Sequence, residues 1–173
     1  GPCIYISNHQ DNLDLIVFGK FLPRRTVTLG KKDILWIPIF GQVYWLYGSL
    51  LIDRNNKHRA KSSMQKLTHT ICDKGISVWI MPEGTRSRGK GLLPFKKGAF
   101  RTGIDAQVPI VPICFNTYQV SVDLYRLKGN LVKGRVLKPI ETKGMSREDL
   151  PDLVHRCHQQ MQQTINELDR EVS

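Results

Sequence analysis

Short apolar runs that alternate with helical spacing set the fold class of this chain. Residues 3–6, 26–29, 48–52, 76–81 and 108–115 each have the length and composition of a strand. After the first run, Leu13, Leu15, Ile16, Phe18 and Leu22 recur as one face of a helix. Ala60, Met64, Leu67 and Ile71 do the same over residues 57–73, with Gly75 to close that helix, and another helix is expected from Phe95 to about Ala106. Leu150, Leu153, Val154, Cys157, Met161, Thr164, Ile165, Leu168 and Val172 mark a long amphipathic C-terminal helix, with Ser146 and Asp149 available to cap it. Strands alternating with helices predict an α/β fold: a twisted, mostly parallel (mixed) sheet flanked by helices. Residues 118–125 and 131–140 read as two further strands, and Pro109 and Pro112 are expected to confine their own strand to an edge or a bulge.

Three of the apolar runs end in charged turns, around His9, at Arg54, and at Glu83 and Arg86. Open α/β sheets gather their ligands at the carboxyl ends of strands, so these turns are the candidate site. His9 and Asp14 stand five positions apart across the first of them. On a regular helix five residues turn through roughly 500°, which would leave the two side chains about 140° apart. They meet only if His9 lies in the turn before the helix and Asp14 reaches back. A neutral imidazole, with an ordinary pKa of ~6.5, accepts a proton at physiological pH. A carboxylate on its other nitrogen fixes the tautomer and stabilises the imidazolium as it forms. Such a pair can activate a substrate hydroxyl without a nucleophile on the protein. The competing reading makes His9 a helix cap and Asp14 a solvated charge of the first turn.

Gly84 permits a tight turn, so Glu83 and Arg86 can present their heads to one cleft. Arg54, at a strand's carboxyl end, suits anion binding because its planar fork grips two oxygens at once. Lys31 or Lys32 is placed to meet an anion near a helix start, or else belongs to a solvated basic turn. Residues 87–91 form a basic loop able to fold over a bound anion. His58, His69, His155 and His158 ride helices and are assigned no catalytic part.

The charge distribution supports an anionic partner. The 173-residue chain carries a formal charge of +11, yet residues 146–173 hold 3 Lys/Arg against 6 Asp/Glu, which leaves 23 against 9 in the body that carries the turns. Phosphate-bearing substrate, coenzyme A, an acidic carrier protein or anionic lipid would each be attracted. Residues 34–52 contain no formal charge but do contain Trp36, Phe40, Tyr44, Trp45 and Tyr47. That length meets the ~18-residue membrane threshold. Pro38, Gly41 and Gly48 break any continuous span, so the stretch reads as a broken helical hairpin. It dips into a membrane surface, walls an acyl-chain groove, or is plain core. Its aromatics do not alternate with Lys and Arg as a nucleic-acid stacking surface requires, and no nucleic-acid partner is expected. Four scattered cysteines, Cys3, Cys72, Cys114 and Cys157, have neither CxxC nor ligand spacing, so free thiols are expected and no metal is implied.

Four ordered blocks carry a family resemblance: Asn8-His9-Gln10 with Asp14, Gly48 to Arg54, Pro82-Glu83-Gly84-Thr85-Arg86-Ser87, and Val108-Pro109-Ile110-Val111-Pro112-Ile113. Together they resemble the glycerolipid acyltransferases, and more narrowly the PlsC-type 1-acylglycerol-3-phosphate acyltransferases of bacteria. Many members have Ser where this chain has Asp11, which lies between the two presumed catalytic residues and reads as a subgroup variation. The resemblance implies a glycerolipid acyltransferase-like fold in a single domain over residues 1–173, with a hydrophobic segment ahead of it. It implies His9 and Asp14 as the catalytic pair, Lys31, Arg54, Glu83, Gly84, Thr85 and Arg86 on the acceptor, and Pro109 and Pro112 on the acyl-donor side. The implied co-substrate is acyl-CoA or acyl-carrier protein, with no cofactor, and the acceptor is lysophosphatidate. The implied location is a membrane surface, at the cytoplasmic face of the bacterial inner membrane. Another lysophospholipid or glycerol 3-phosphate as acceptor, or a non-catalytic module that docks on anionic membranes, are the alternatives.

Overall fold

A computed structural model describes residues 1–11, 14–19, 21–31, 36, 41–42, 50–52, 57–118 and 131–172. Among them the order is β1 (Ile4–Ser7), α1 (Asp14–Gly19), β2 (Thr26–Lys31), β3 (Leu50–Ile52), α2 (Lys57–Lys74), β4 (Ser77–Ile80), α3 (Gly98–Ala106), β5 (Ile110–Phe115), β6 (Gly134–Val136) and α4 (Leu150–Val172). The six strands form one sheet in the order β3-β2-β4-β1-β5-β6. Every pairing is parallel except that of β5 with β6. The expected α/β architecture is therefore the one observed. β1 lies between β4 and β5, and the turns that follow β1 and β4 emerge side by side.

Side-chain alternation divides the core in two. Ile4 and Ile6, Val78 and Ile80, and Ile110 and Cys114 face one side, where they pack with Leu67 and Ile71 of α2, Phe100 and Ile104 of α3, and Leu153, Cys157, Met161 and Leu168 of α4. Trp79, Ile113 and Phe115 face the other side, against Phe18 of α1 and Tyr118. Phe18 stacks on Trp79 with centroids 5.3 Å apart and touches the Phe115 ring at 4.8 Å. α1, only six residues long, is anchored by this ring cluster rather than by its own propensity. Gly75 ends α2 at φ +59°, with its N–H on the Ile71 carbonyl at 3.1 Å. At the other end of the chain, Ser146 donates its N–H to Asp149 Oδ2 at 2.7 Å ahead of α4, as the capping pattern predicts.

Three local expectations are corrected. β5 is an interior strand, paired with β1 on one side and β6 on the other, despite its prolines. Pro112 accepts the Leu137 N–H at 2.9 Å on the β6 side, where the register slips by one residue between Ile113 opposite Val136 and Ile110 opposite Ile140, so the expected bulge is present and only the edge is corrected. Second, α3 begins at Gly98 and not at Phe95, because the Lys96 N–H is committed to the Pro82 carbonyl at 2.8 Å. Third, Lys31 is the last residue of β2, opposite Ile52, and not part of a turn beyond it. Of the two late strands, the second survives as β6 plus a bridge from Ile140 to Ile110. The first falls almost wholly outside the described residues, as do Arg54, Lys32 and most of the uncharged stretch 34–52.

Candidate active site

The turn after β1 is a knot of hydrogen bonds around one carboxylate. Asp14, the first residue of α1, is completely buried. Its Oδ2 lies 2.6 Å from His9 Nδ1 and accepts the Gln10 N–H at 2.6 Å. Its Oδ1 accepts the Asp11 N–H at 3.0 Å and the Tyr118 hydroxyl. An aspartate so placed is not a solvated first-turn charge. Two backbone N–H groups can only donate, so Asp14 serves as an acceptor and the proton on the facing imidazole nitrogen is Nδ1–H. Nε2 of His9, which no described residue meets, is left as the proton acceptor.

Neighbouring elements hold this turn from two sides. Asn8 exchanges two bonds with Phe115, donating Nδ2–H to its carbonyl and accepting its N–H, both at 2.9 Å. Gln10 donates Nε2–H to the Asn116 carbonyl at 2.8 Å and accepts the Tyr118 N–H at 3.1 Å. The other brace is Glu83, just past β4. One of its oxygens accepts the His9 N–H at 2.7 Å, and the other accepts the Leu93 N–H at 2.9 Å. Burial raises the Glu83 carboxyl above its ordinary value, and the two N–H donors hold the rise back. The resemblance gives Glu83 to the acceptor. In the structure both its oxygens engage the backbone, which makes it a strut beneath His9.

The chain from Glu83 to Ser87 turns back toward the same place. Gly84 takes φ +72°, and a Cβ there would come within 2.7 Å of Lys96 Nζ, so the expected glycine turn is present. Ser87 donates its N–H to the His9 carbonyl at 2.8 Å, and Arg88 does so to the Gln10 carbonyl at 3.2 Å. Arg86 and Thr85, both exposed, therefore stand within two residues of a direct contact with the His9 turn. The basic loop over residues 87–91 is pinned at its start rather than free along its length. Of the other candidates, Lys31 closes β2 on the same, carboxyl-terminal side of the sheet. Pro109 is level with Cys3, at the opposite end of β1 from the His9 turn. Pro112 is buried within β5 and forms wall, not cleft.

Residues 1–116 match the acyltransferase family. Across all 173 residues the chain is 46% identical to the Escherichia coli 1-acyl-sn-glycerol-3-phosphate acyltransferase, of which it covers 71%. It is 38% identical over 172 residues to the human 1-acyl-sn-glycerol-3-phosphate acyltransferase alpha, covering 96% of this chain and 60% of that one. The chain belongs to the acyltransferase family. Its fold is also that of the crystal structure of the Thermotoga maritima 1-acyl-sn-glycerophosphate acyltransferase PlsC, with a TM-score of 0.70 at 21% identity over 96% of this chain and 66% of that one.

Within this acyltransferase Asn8, Gln10, Ser87 and Tyr118 also hold the His9 turn, and none of them is assigned a part by the sequence pattern. Asn8 and Gln10 stand inside the first block, on either side of His9, and that position was the usable signal; both are buried and hydrogen-bonded. Tyr118 joins Asp14 across 104 positions, and no local pattern announces that contact. The cysteines play no part here. Cys3, Cys114 and Cys157 are buried free thiols and Cys72 is exposed. Burial pushes Cys114 and Cys157 up to about 12, which keeps both as inert thiols.

Proposed function

We propose that this chain transfers a fatty acyl group from a thioester, acyl-CoA or acyl-carrier protein, to the sn-2 hydroxyl of 1-acylglycerol 3-phosphate, forming phosphatidate in phospholipid biosynthesis. The observation that carries this reading is the pairing of half-buried His9, through Nδ1, with the fully buried Asp14, where the β1 and β4 turns meet. Its context is a chain 46% identical along its whole length to an enzyme named for that reaction. His9 Nε2 takes the hydroxyl proton as the oxygen attacks the thioester carbonyl. The tetrahedral intermediate then collapses, the C–S bond breaks, and the imidazolium returns the proton to the departing thiolate. Asp14 holds the ring in the required tautomer throughout. The acyl group passes directly between substrates.

Arg86 and, by the resemblance, Arg54 and Lys31 neutralise the acceptor phosphate. Glu83, Gly84 and Thr85 build the turn that presents Arg86. The enzyme would meet its lipid substrate and thioester at an anionic membrane surface, on the cytoplasmic face of the bacterial inner membrane, a reading that the basic excess of residues 1–145 supports. Among the described residues no helix is long and apolar enough to cross a membrane.

The test is product identification. Labelled acyl-CoA and acyl-carrier protein are each offered with lysophosphatidate, its dephosphorylated counterpart, a lysophospholipid with a capped phosphate, and glycerol 3-phosphate. Labelled phosphatidate from lysophosphatidate, with little product when the phosphate is absent or capped, is the expected result. Equal use of the dephosphorylated acceptor would overturn the phosphate assignment.

A further inference from the structure

Asp14 is held by more donors than a tautomer clamp needs. Two backbone N–H groups and the imidazole already engage it, and Tyr118 adds a hydroxyl from three residues beyond β5. Tyr118 is 5% exposed and its ring lies in the cluster of Phe18, Trp79, Ile113 and Phe115. Its N–H is fixed on Gln10 Oε1 at 3.1 Å, so backbone and side chain both grip the His9 turn. The hydroxyl therefore sits in a fixed direction on Oδ1, opposite the oxygen that faces His9.

A donor on Oδ1 draws negative charge away from Oδ2 and weakens that oxygen's attraction for an imidazolium. It also stops the carboxylate from rotating. We propose that Tyr118 is a positioning residue that tunes the strength of the His9 base by hydrogen bonding to Asp14. The inference rests on the base reading of His9 given above. Burial first, and then the hydrogen bond to Asp14, push the Tyr118 phenol far above its ordinary value. It remains a donor at every working pH and does not itself exchange the reacting proton.

The experiment is the pH dependence of acyl transfer by the full chain carrying Tyr118→Phe, measured beside the unaltered enzyme from about pH 5 to 9. Without the phenol, Oδ2 holds the imidazolium more tightly and the base stays protonated to higher pH. The acid limb of the kcat profile is expected to move up by roughly 0.5–1 unit, the scale of one hydrogen bond to a charged group. On that limb kcat should fall ~3–10-fold, with KM for both substrates unchanged. Site-specific 3-fluorotyrosine at position 118 is a stronger donor of nearly the same shape and should move the limb the other way. The charged groups that face the pair, Glu83 from the end of β4 and Asp11 from the same turn, are kept in both variants. A limb that stays in place in both variants, or moves in the same direction in both, would overturn the proposal. So would a change in KM alone. Should Tyr118→Phe not fold, the fluorotyrosine enzyme decides by the direction of its shift. His9→Ala, assayed in parallel, separates the two levels: retained turnover there removes the base reading itself, whereas an inactive His9→Ala beside an unmoved limb removes only the role of Tyr118.

Discussion

Two histidines stand at the two ends of one run of hydrogen bonds and differ in what their rings meet. His9 and His158 are both half-buried, and Glu83 and Leu93 link them. The Leu93 N–H goes to Glu83, which holds the His9 backbone, while the Leu93 carbonyl lies 3.2 Å from His158 Nε2. The rings differ in what touches them. His9 presents one nitrogen to a buried carboxylate at 2.6 Å, and among the described residues none hydrogen-bonds the other. His158 presents its Nε2 to a neutral carbonyl and packs its ring edge-on to Phe95, with centroids 4.7 Å apart. A carbonyl only accepts a ring N–H, whereas a carboxylate also brings a full negative charge to offset the positive charge of a ring that takes up a proton. Partner charge, more than burial or hydrogen bonding as such, separates the proposed base from a packing histidine here.

The comparison can be broken or sharpened by substitution. Asp14→Asn should do the most damage, because the amide can hold the wrong tautomer and offers no charge to the imidazolium. A loss in kcat of ~10²–10⁴ is expected in steady-state assays, with KM for the acceptor little changed. Glu83→Gln comes next. One of the two backbone N–H groups it serves would face an amide N–H instead of an oxygen, and a loss of about 1–3 kcal/mol is expected in denaturant unfolding. A milder fall in kcat should accompany it as the His9 turn loosens. His158→Gln should do the least, since its amide can still donate to the Leu93 carbonyl. Only the ring contact with Phe95 is lost, worth about 0.5–1.5 kcal/mol by thermal unfolding, with kcat unchanged. A His158 effect on kcat as large as that of Asp14 would erase the distinction.

Much of this was legible in the chain because its signals are local. β1, β2, β4, α2 and α4 are each announced by periodicity and by a terminator such as Gly75, and angular spacing states the condition on which His9 and Asp14 meet, a turn before the helix, which the structure meets. Features set by distant partners were not legible. Pro112 reads as an edge or bulge residue because proline lacks an N–H, and only the distant pairing of Val136 and Ile140 decides for the bulge. Glu83 read as a ligand because it is charged and follows a strand, but its carboxylate is taken by N–H groups 74 and 10 positions away. Tyr118 carried no signal at all, since its partner lies across the whole length of the sheet-forming chain.

The central claim is that His9 Nε2 removes the acceptor's proton, and single-turnover acyl transfer by His9→Ala tests it most directly. The variant keeps the backbone bonds of residue 9 to Glu83 and Ser87, so its unfolding transition should stay close to that of the parent. With substrates saturating, the account predicts a rate lower by ~10²–10⁴ and the disappearance of the acid limb from what activity remains. A folded His9→Ala protein that transfers acyl groups at the parental rate would contradict it.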